Sequence, residues 1–539
     1  MLSCNRFLAS RLRVSKLVVV MCLIVVALGV AASNPCGAKT LKWAFSGDIY
    51  SLDPYAHAVS FIAIFHQHIY DTLVRYNVNL KIEPSLATSW RMVEPTVWRF
   101  SLRKGVKFHN GNPFTADDVV ASIHRVIHPN APLRGNLPAV REARKVDDYT
   151  VDIVLDGPTP LLLNGLTNIC IMDKEWMREN KCLDPVDPAK GQEGYASTHA
   201  NGTGPFMLES RQPDAKTVLV VNPNWWDKPQ HNLTRIIFTP IKSDATRVAA
   251  LLSGEVDLMH PSPLQDADRI SRTPGVKLLE GPDVRTIMLA INQAPNEPFE
   301  SNIKGKNPLR DIRVRKALYQ AIDIESIRTR IMRGKSRTAG LFVAPEIPGF
   351  DPALNNRLPY DPNVAKRLLA EAGYPDGFEI GFDAPNDRYV NDEKIAQAIV
   401  PMWAKIGVRA RLATQPGSAH FKKANGGKSD IWMFGWATLP ILDSFHALSS
   451  ILSSPRGKMG TFNPGGYKNP KVDELTDRIA VELDEQRRLK MISEAFKLAK
   501  EDCVIIPLHQ QPLSWAIQDQ VKIVQTADDL PRLWLVRIE

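Results

Sequence analysis

Strand-like and helix-like segments alternate irregularly along the 539 residues, and no internal repeat is present. This irregular order is typical of a mixed α/β protein and excludes a solenoid or a propeller. A chain of this length is too long for one hydrophobic core, so we expect two or more domains. Hydrophobic residues make up 44% of the sequence and charged residues 23%, a balance that excludes a polytopic membrane protein and a largely disordered one.

The N-terminal segment has the pattern of a secretory signal. Four basic residues and no acidic residue accompany an unbroken apolar run over residues 17–32. This run is shorter than the roughly 20 residues that span a bilayer core. We therefore predict a cleavable signal peptide over residues 1–38, with cleavage after Ala38 or after Ala32, and export to the periplasm. The alternative is an uncleaved N-terminal anchor.

Export changes the charge and the cysteine count of the mature chain. Loss of residues 1–38 removes four of 67 basic residues and leaves 63 against 58 acidic ones, or +5. The basic residues are scattered, so we expect no nucleic-acid partner. In an oxidising compartment Cys170 and Cys182 could form a disulfide and leave Cys503 unpaired, or all three could be buried thiols.

Several local elements follow from capping and periodicity. Residues 98–103 alternate apolar and polar side chains, and a turn precedes residues 106–108, which predicts a hairpin. Thr115 followed by Asp118 is the pattern of a capping box at the start of a helix. A helix is also predicted over residues 244–252, where a glycine stops the apolar periodicity.

Enzymatic motifs are absent from the sequence. Two Gly-Lys-Ser triplets lack the first glycine of a phosphate-binding loop, and no nucleophile elbow, zinc-protease helix or Cys-x-x-Cys pair occurs. His66 and His68 are two residues apart and would point to different faces of a helix. We therefore predict a protein that is not an enzyme and has no metal or cofactor. The alternative is an exported hydrolase with an unfamiliar site.

A series of short motifs spans nearly the whole mature chain in a fixed order. They are Ser51–Pro54, Tyr70–Val74, Pro84–Trp90, Leu102–Gly111, Phe114–Val119, Gly202–Phe206, Gly254–Asp257, Val314–Leu318, Ala321–Asp323 and Glu371–Gly377. Through these motifs the chain resembles the extracytoplasmic solute-binding proteins of ABC importers, family 5, the peptide/nickel class.

The resemblance implies an α/β fold like that of type II periplasmic binding proteins, with two lobes, a hinge and a cleft. Lobe I would comprise residues 39–68, 203–285 and 508–539, lobe II residues 286–507, and an inserted α+β domain residues 69–202. Such binders close on their ligand at the hinge.

The resemblance also implies a function and its partners. The protein would capture a short peptide or a peptide-like small molecule and deliver it to an ABC permease with its cytoplasmic ATPase. We expect a monomer. The alternatives are an exported hydrolase on a similar scaffold and a binder of a nickel chelate, haem or an oligosaccharide in the same fold.

The family's Gly-Trp segment beside the ligand corresponds to Gly435 and Trp436. Gly435 would let backbone groups reach an extended ligand, and Trp436 would offer a flat apolar wall. In peptide-binding members an aspartate three residues after this tryptophan holds the α-amino group of the ligand, but this chain has Leu439 there. Asp443 could replace that aspartate from a shifted loop, or the ligand could lack a free amine.

Asn386, Arg388 and Tyr389 lie where some dipeptide-binding members place an arginine for the ligand carboxylate. We predict that Arg388 binds an anionic group of the ligand through bidentate hydrogen bonds. The alternative is a salt bridge from Arg388 to Asp387 or Asp392.

Two further segments are candidates for the cleft. Arg285 could face it, although the residues that follow have the pattern of a core strand. The turn at Thr203 and Gly204 could approach the ligand, or could be a tight turn without ligand contact.

Overall fold

The computed structural model describes residues 39–56, 60–187 and 190–539. The predicted signal peptide over residues 1–38 lies outside the described residues. Within the described ranges, no helix is both long enough and apolar enough to cross a membrane.

The chain alternates strands and helices, as the sequence predicts. The strands are β1 Thr40–Phe45, β2 Val74–Tyr76, β3 Ile82–Pro84, β4 Ala87–Glu94, β5 Val97–Leu102, β6 Val140–Asp147, β7 Thr150–Leu155, β8 Phe206–Gln212, β9 Lys216–Val221, β10 Arg235–Pro240, β11 Leu258–Met259, β12 Val276–Ile291, β13 Arg337–Thr338, β14 Glu379–Pro385, β15 Arg409–Gln415, β16 Ile431–Trp436, β17 Ile505–Gln518, β18 Val521–Lys522 and β19 Arg537–Ile538.

Helices connect these strands. The α-helices are α1 Ser60–His66, α2 Ala116–Ile127, α3 Leu162–Leu166, α4 Lys174–Glu179, α5 Asp244–Leu252, α6 Ala267–Arg272, α7 Ile312–Gln320, α8 Ile324–Ser326, α9 Pro362–Glu371, α10 Asp392–Ala404, α11 Gly417–Asn425, α12 Phe445–Ala447, α13 Pro470–Val481 and α14 Glu485–Glu501. Short π-helical segments, Ile327–Ile331 and Leu448–Leu452, continue α8 and α12.

Most strands belong to one mixed sheet of eleven strands. Its order is β15-β14-β16-β12-β17-β11-β1-β10-β9-β8, and β13 also pairs with β17. Strand β1 is parallel to β10 and β11, and β14 is parallel to β15 and β16. The mixed α/β class predicted from the sequence is therefore confirmed.

The two long strands β12 and β17 connect the two ends of this sheet. They run antiparallel from the pair Val276–Gln518 to the pair Ala290–Ile505. The register shifts between Pro282 and Thr286, so residues 283–285 interrupt the ladder. Beyond the interruption β12 pairs with β16, while the other end of β17 pairs with β11. We propose that the two lobes meet here.

A separate four-stranded sheet has the order β4-β5-β7-β6. Because β5 pairs with β4 on one side and β7 on the other, the predicted hairpin of residues 98–103 with 106–108 is wrong. Residues 106–108 leave the sheet, and Lys107 forms an isolated bridge with Pro113. The alternating pattern correctly identified a half-buried strand, but both of its neighbours come from other parts of the chain.

The patterns that predict helix starts agree with the structure, and the structure decides between the two alternatives for the cysteines. The Asp118 carboxylate accepts a hydrogen bond of 2.8 Å from the Thr115 backbone N–H, as a capping box requires. Helix α5 has the predicted bounds. Cys170, Cys182 and Cys503 are buried free thiols, so of the two alternatives the structure contains the thiols and not the disulfide.

A buried ion pair joins the segment after β1 to helix α2. The Arg125 guanidinium donates two hydrogen bonds to the Asp53 carboxylate, of 2.8 Å and 2.5 Å. The side chains are 1% and 3% exposed. Arg125 Nε also donates to the Cys182 carbonyl. The pair therefore links three distant parts of the chain inside a hydrophobic core that includes residues of both sheets.

We predict that Arg125→Ala lowers the free energy of unfolding by about 3–5 kcal/mol, because the Asp53 carboxylate would stay buried without its partner. Urea unfolding followed by circular dichroism measures this loss. The matched control is Arg178→Ala, which removes the exposed ion pair with Glu175 and should cost less than about 1 kcal/mol. Equal losses in the two variants would contradict the prediction.

Candidate ligand-binding site

A large cavity lies beside the interruption between β12 and β17. It has a volume of about 1210 Å³. One wall includes residues of the segments 45–50 and 260–265, and the opposite wall includes residues 386–394 and Leu439. Asp283 and Arg285 of β12 and residues 511–514 of β17 line it where the ladder is interrupted. The cavity is therefore formed by elements from both ends of the large sheet.

A smaller side cavity adjoins the large one. Its volume is about 290 Å³. Aliphatic and aromatic side chains line most of it, and the aromatic ones include Phe421, Trp432, Phe434, Trp436, Phe462 and Tyr467. Arg388 and Tyr389 line both cavities, so a ligand bound to Arg388 can reach either space.

Two arginines flank the Tyr389 ring at the junction of the cavities. The guanidinium carbon of Arg388 lies 5.3 Å from the ring centroid, and that of Arg285 lies 6.0 Å from it. Arg285 Nε is 3.9 Å from an Asp283 oxygen. Among the described residues, no carboxylate lies within 4.0 Å of the Arg388 guanidinium. The Arg388 donors are therefore available to an anion.

The electrostatics of this junction favour a negatively charged ligand. Partial desolvation and, after it, the positive charge of Arg285 lower the pKa of Arg388, because both guanidinium groups lie beside the same Tyr389 ring. Burial raises the pKa of Tyr389 and of Asp283, and in both cases Arg285 acts in the opposite direction. An anionic group bound between the arginines would relieve their repulsion.

The alternative salt bridges of Arg388 do not form. The Asp392 carboxylate accepts hydrogen bonds from the backbone N–H groups of Arg388 and Tyr389, at 3.0 Å and 2.9 Å. The Asp387 carboxylate accepts from the Gly417 N–H at 2.7 Å. Both acidic groups thus shape the backbone around Arg388 and leave its guanidinium in the cleft.

Gly435 gives Tyr389 and Arg285 the space they need. A Cβ atom at this position would lie 2.9 Å from the Tyr389 ring and 3.1 Å from Arg285 Cδ. The Gly435 N–H donates a hydrogen bond of 2.8 Å to the Tyr389 hydroxyl, so this donor is already used within the protein. Trp436 lines the side cavity and contacts Phe462 edge to face, at 5.3 Å between ring centroids.

The remaining predicted site residues lie in different places. Asn386 is exposed and lines the large cavity. Thr203 is buried, and its hydroxyl donates to Asp71 at 2.9 Å. A Cβ atom on Gly204 would lie 2.6 Å from the Ile69 carbonyl carbon. Thr203 and Gly204 line neither cavity, so the geometry favours the tight-turn alternative.

Asp443 does not take the place of the missing aspartate. Its buried carboxylate accepts two hydrogen bonds from Arg488, of 2.6 Å and 2.9 Å. It lines neither cavity. The idea of a shifted loop does not hold, because Asp443 serves as the partner of a buried arginine.

Three cavity residues carried no signal in the sequence. Asp283, Gln511 and Asp529 line the large cavity, and Gln511 donates a hydrogen bond of 2.9 Å to Asp283. Asp283 and Gln511 are 228 positions apart in the chain. Their proximity depends on the register of β12 against β17, which no local pattern encodes.

Comparisons with known proteins agree with this geometry. The sequence profile of the bacterial extracellular solute-binding proteins, family 5, matches residues 81–458. The heme-binding protein A of Haemophilus influenzae is 30% identical, over 82% of this chain and 81% of that protein. The dipeptide-binding protein of Escherichia coli is 29% identical, over 76% of this chain and 78% of that protein.

The fold is also similar to a solved structure with a bound peptide. The ABC transporter-associated periplasmic binding protein DppA of Helicobacter pylori, in complex with the peptide STSA, matches with a TM-score of 0.74 and 25% identity. The match covers 93% of this chain and 98% of that one. The chain belongs to the family 5 bacterial extracellular solute-binding proteins.

Proposed function

We propose that the protein captures a short peptide, or a peptide-like molecule with a carboxylate, in the periplasm and delivers it to an ABC permease. The observation that carries this proposal is the pair Arg285 and Arg388 at the junction of the two cavities. Family membership supports the transport role, because members of the family are binding components of ABC importers rather than enzymes.

The ligand carboxylate binds at Arg388, with Arg285 as the second cation. A guanidinium offers planar donors that match the two oxygens of a carboxylate. The backbone N–H of Arg388 donates a hydrogen bond to the Asp392 carboxylate, which fixes the position of Arg388. An ion pair in a partly desolvated cleft is stronger than one in bulk water, so this contact fixes one end of the ligand.

An apolar group next to that carboxylate enters the side cavity. The aromatic walls are flat and polarizable, and a buried aromatic side chain contributes a large apolar contact area. The volume of about 290 Å³ is at the lower end of typical ligand sites, which suits one side chain. The larger cavity takes the rest of the peptide.

Native mass spectrometry of the protein purified from its own periplasm tests the proposed ligand class. We expect bound masses that fragment as short peptides or carboxylate-bearing peptide-like molecules. Recovery of only haem, a nickel chelate or an oligosaccharide would overturn the proposal. Conversion of a bound peptide to product under excess substrate would instead favour the exported hydrolase.

Arg388→Ala should weaken binding of the recovered ligand at least about tenfold, because one charge-assisted anchor contributes more than about 1.4 kcal/mol. Isothermal titration calorimetry measures the dissociation constant. Arg411→Ala is the control, since it removes an equal charge from the ion pair between Arg411 on β15 and Glu379 on β14, which lies outside both cavities. An unchanged affinity in Arg388→Ala would contradict the carboxylate anchor.

Gly435→Ala should also weaken binding, by roughly tenfold, because the new methyl group would push the Tyr389 ring and Arg285 from their positions. The control is Gly157→Ala, where a Cβ atom meets nothing within 4 Å. Calorimetry with the same ligand and a thermal unfolding scan together separate lost affinity from lost stability. Wild-type affinity in Gly435→Ala would show that this space is not required.

A further inference from the structure

One of the carboxylates that line the large cavity, that of Asp529, comes from the C-terminal segment of the chain. Asp529 and Leu439 both line the large cavity. One Asp529 oxygen accepts a hydrogen bond of 2.7 Å from the Trp515 indole. Within the part of the chain that the structure describes, the other oxygen accepts no hydrogen bond from the protein. Asp529 is only partly buried, so a ligand can reach it.

The segment that carries Asp529 is fixed beside the stretch of β12 that contains Arg285. The Val284 N–H, in the interruption of the ladder, donates to the Ala527 carbonyl at 3.0 Å. Asp528, next in the chain, forms an ion pair of 2.8 Å with Arg532. Asp529 therefore lies next to the part of β12 that carries Asp283 and Arg285.

Tyr76 connects this segment to the loop that carries Leu439. Its hydroxyl donates to the Ile441 carbonyl at 2.9 Å, and its own carbonyl accepts from Arg532 Nε at 3.4 Å. The side-chain amide of Asn164 also donates to Ile441, at 2.8 Å. The C-terminal segment and the 439 loop thus meet at one edge of the cavity.

Asp529 has more acidic neighbours than basic ones. Asp283 and Asp528 are its acidic neighbours, and Arg285 is the nearby base. Asp283 is already bonded to the Arg285 N–H and Gln511. Burial and the charge of Asp283 raise the pKa of Asp529 to about 7. A cationic group at this position would therefore gain an electrostatic partner.

We infer that Asp529 binds the free ammonium group of the ligand, while Arg388 and Arg285 bind its carboxylate. The ammonium anchor thus lies on the C-terminal segment and not on the loop at residue 439. This inference rests on the proposed function and adds to it that the ligand has a free amine. The chain has Leu439 in place of the aspartate that binds the ammonium group in peptide-binding members, and we infer that Asp529 provides this carboxylate instead.

Asp529→Asn tests the inference with little risk to the fold. Asp529 has a backbone φ of 60°, which asparagine also tolerates, and the amide oxygen can still accept from Trp515. The control is Asp477→Asn, which neutralises an exposed carboxylate that lines neither cavity and pairs with Arg456. The probes are alanyl-, leucyl- and phenylalanyl-phenylalanine, each free and N-acetylated, in calorimetric titrations.

We expect the wild type and Asp477→Asn to bind the free dipeptides at least about tenfold more tightly than the acetylated ones. Asp529→Asn should remove most of this difference by weakening the free forms alone. Equal affinity for free and acetylated forms in the wild type, or an unchanged difference in Asp529→Asn, would overturn the inference. If Arg388→Ala still weakened binding at least about tenfold in that case, the proposed function would stand.

The pH dependence of ligand affinity provides a second test of the role of Asp529. The ammonium pairs with the ionised form of Asp529, so binding releases a proton when that group is protonated in the free protein. Below about pH 7 the affinity of the wild type for the free dipeptides should fall by up to about tenfold per pH unit, and Asp529→Asn should show no such slope. The same slope in both proteins would overturn the inference.

Failure of every dipeptide to bind, with no peptide recovered from the periplasm, would overturn the proposed function and this inference together.

Discussion

The antiparallel pairing of β12 with β17 is the constraint on which the rest of the structure depends. It holds together the two groups of strands in the large sheet and sets their relative register. Where this pairing is interrupted, at residues 283–285, backbone groups are released from the ladder and charged side chains face the cavity. The same feature that joins the two ends of the large sheet thus creates the cavity in which we propose that the ligand binds.

The charged residues of the cleft differ in whether groups of the protein already occupy their hydrogen-bonding atoms. Asp392 and Asp387 are occupied by backbone N–H groups, and Asp443 by a buried arginine. Arg388 and Asp529 differ, because each keeps hydrogen-bonding capacity toward the cavity. Polar groups that the protein satisfies internally provide shape, whereas those left with free capacity provide recognition.

Sequence reasoning recovered the class of the fold and individual helix starts, because these depend on neighbours in the chain. Arg388 and Arg285 were identified as candidates, but their shared contact with Tyr389 was not. Asp529 gave no signal, since its position depends on contacts with β12 more than 200 residues away. Predictions for Thr203, Gly204 and Asp443 missed their buried partners for the same reason.

The side cavity has a consequence for the order of events during capture. Its lining comes from residues 290–291, 388–389 and 421–505, all on one side of the ladder interruption. An apolar group can therefore enter it before the opposite wall of the large cavity, with residues 45–50, makes any contact. In the proposed binding site, entry of an apolar group into the side cavity and contact of the ligand with the opposite wall are therefore separate steps of capture.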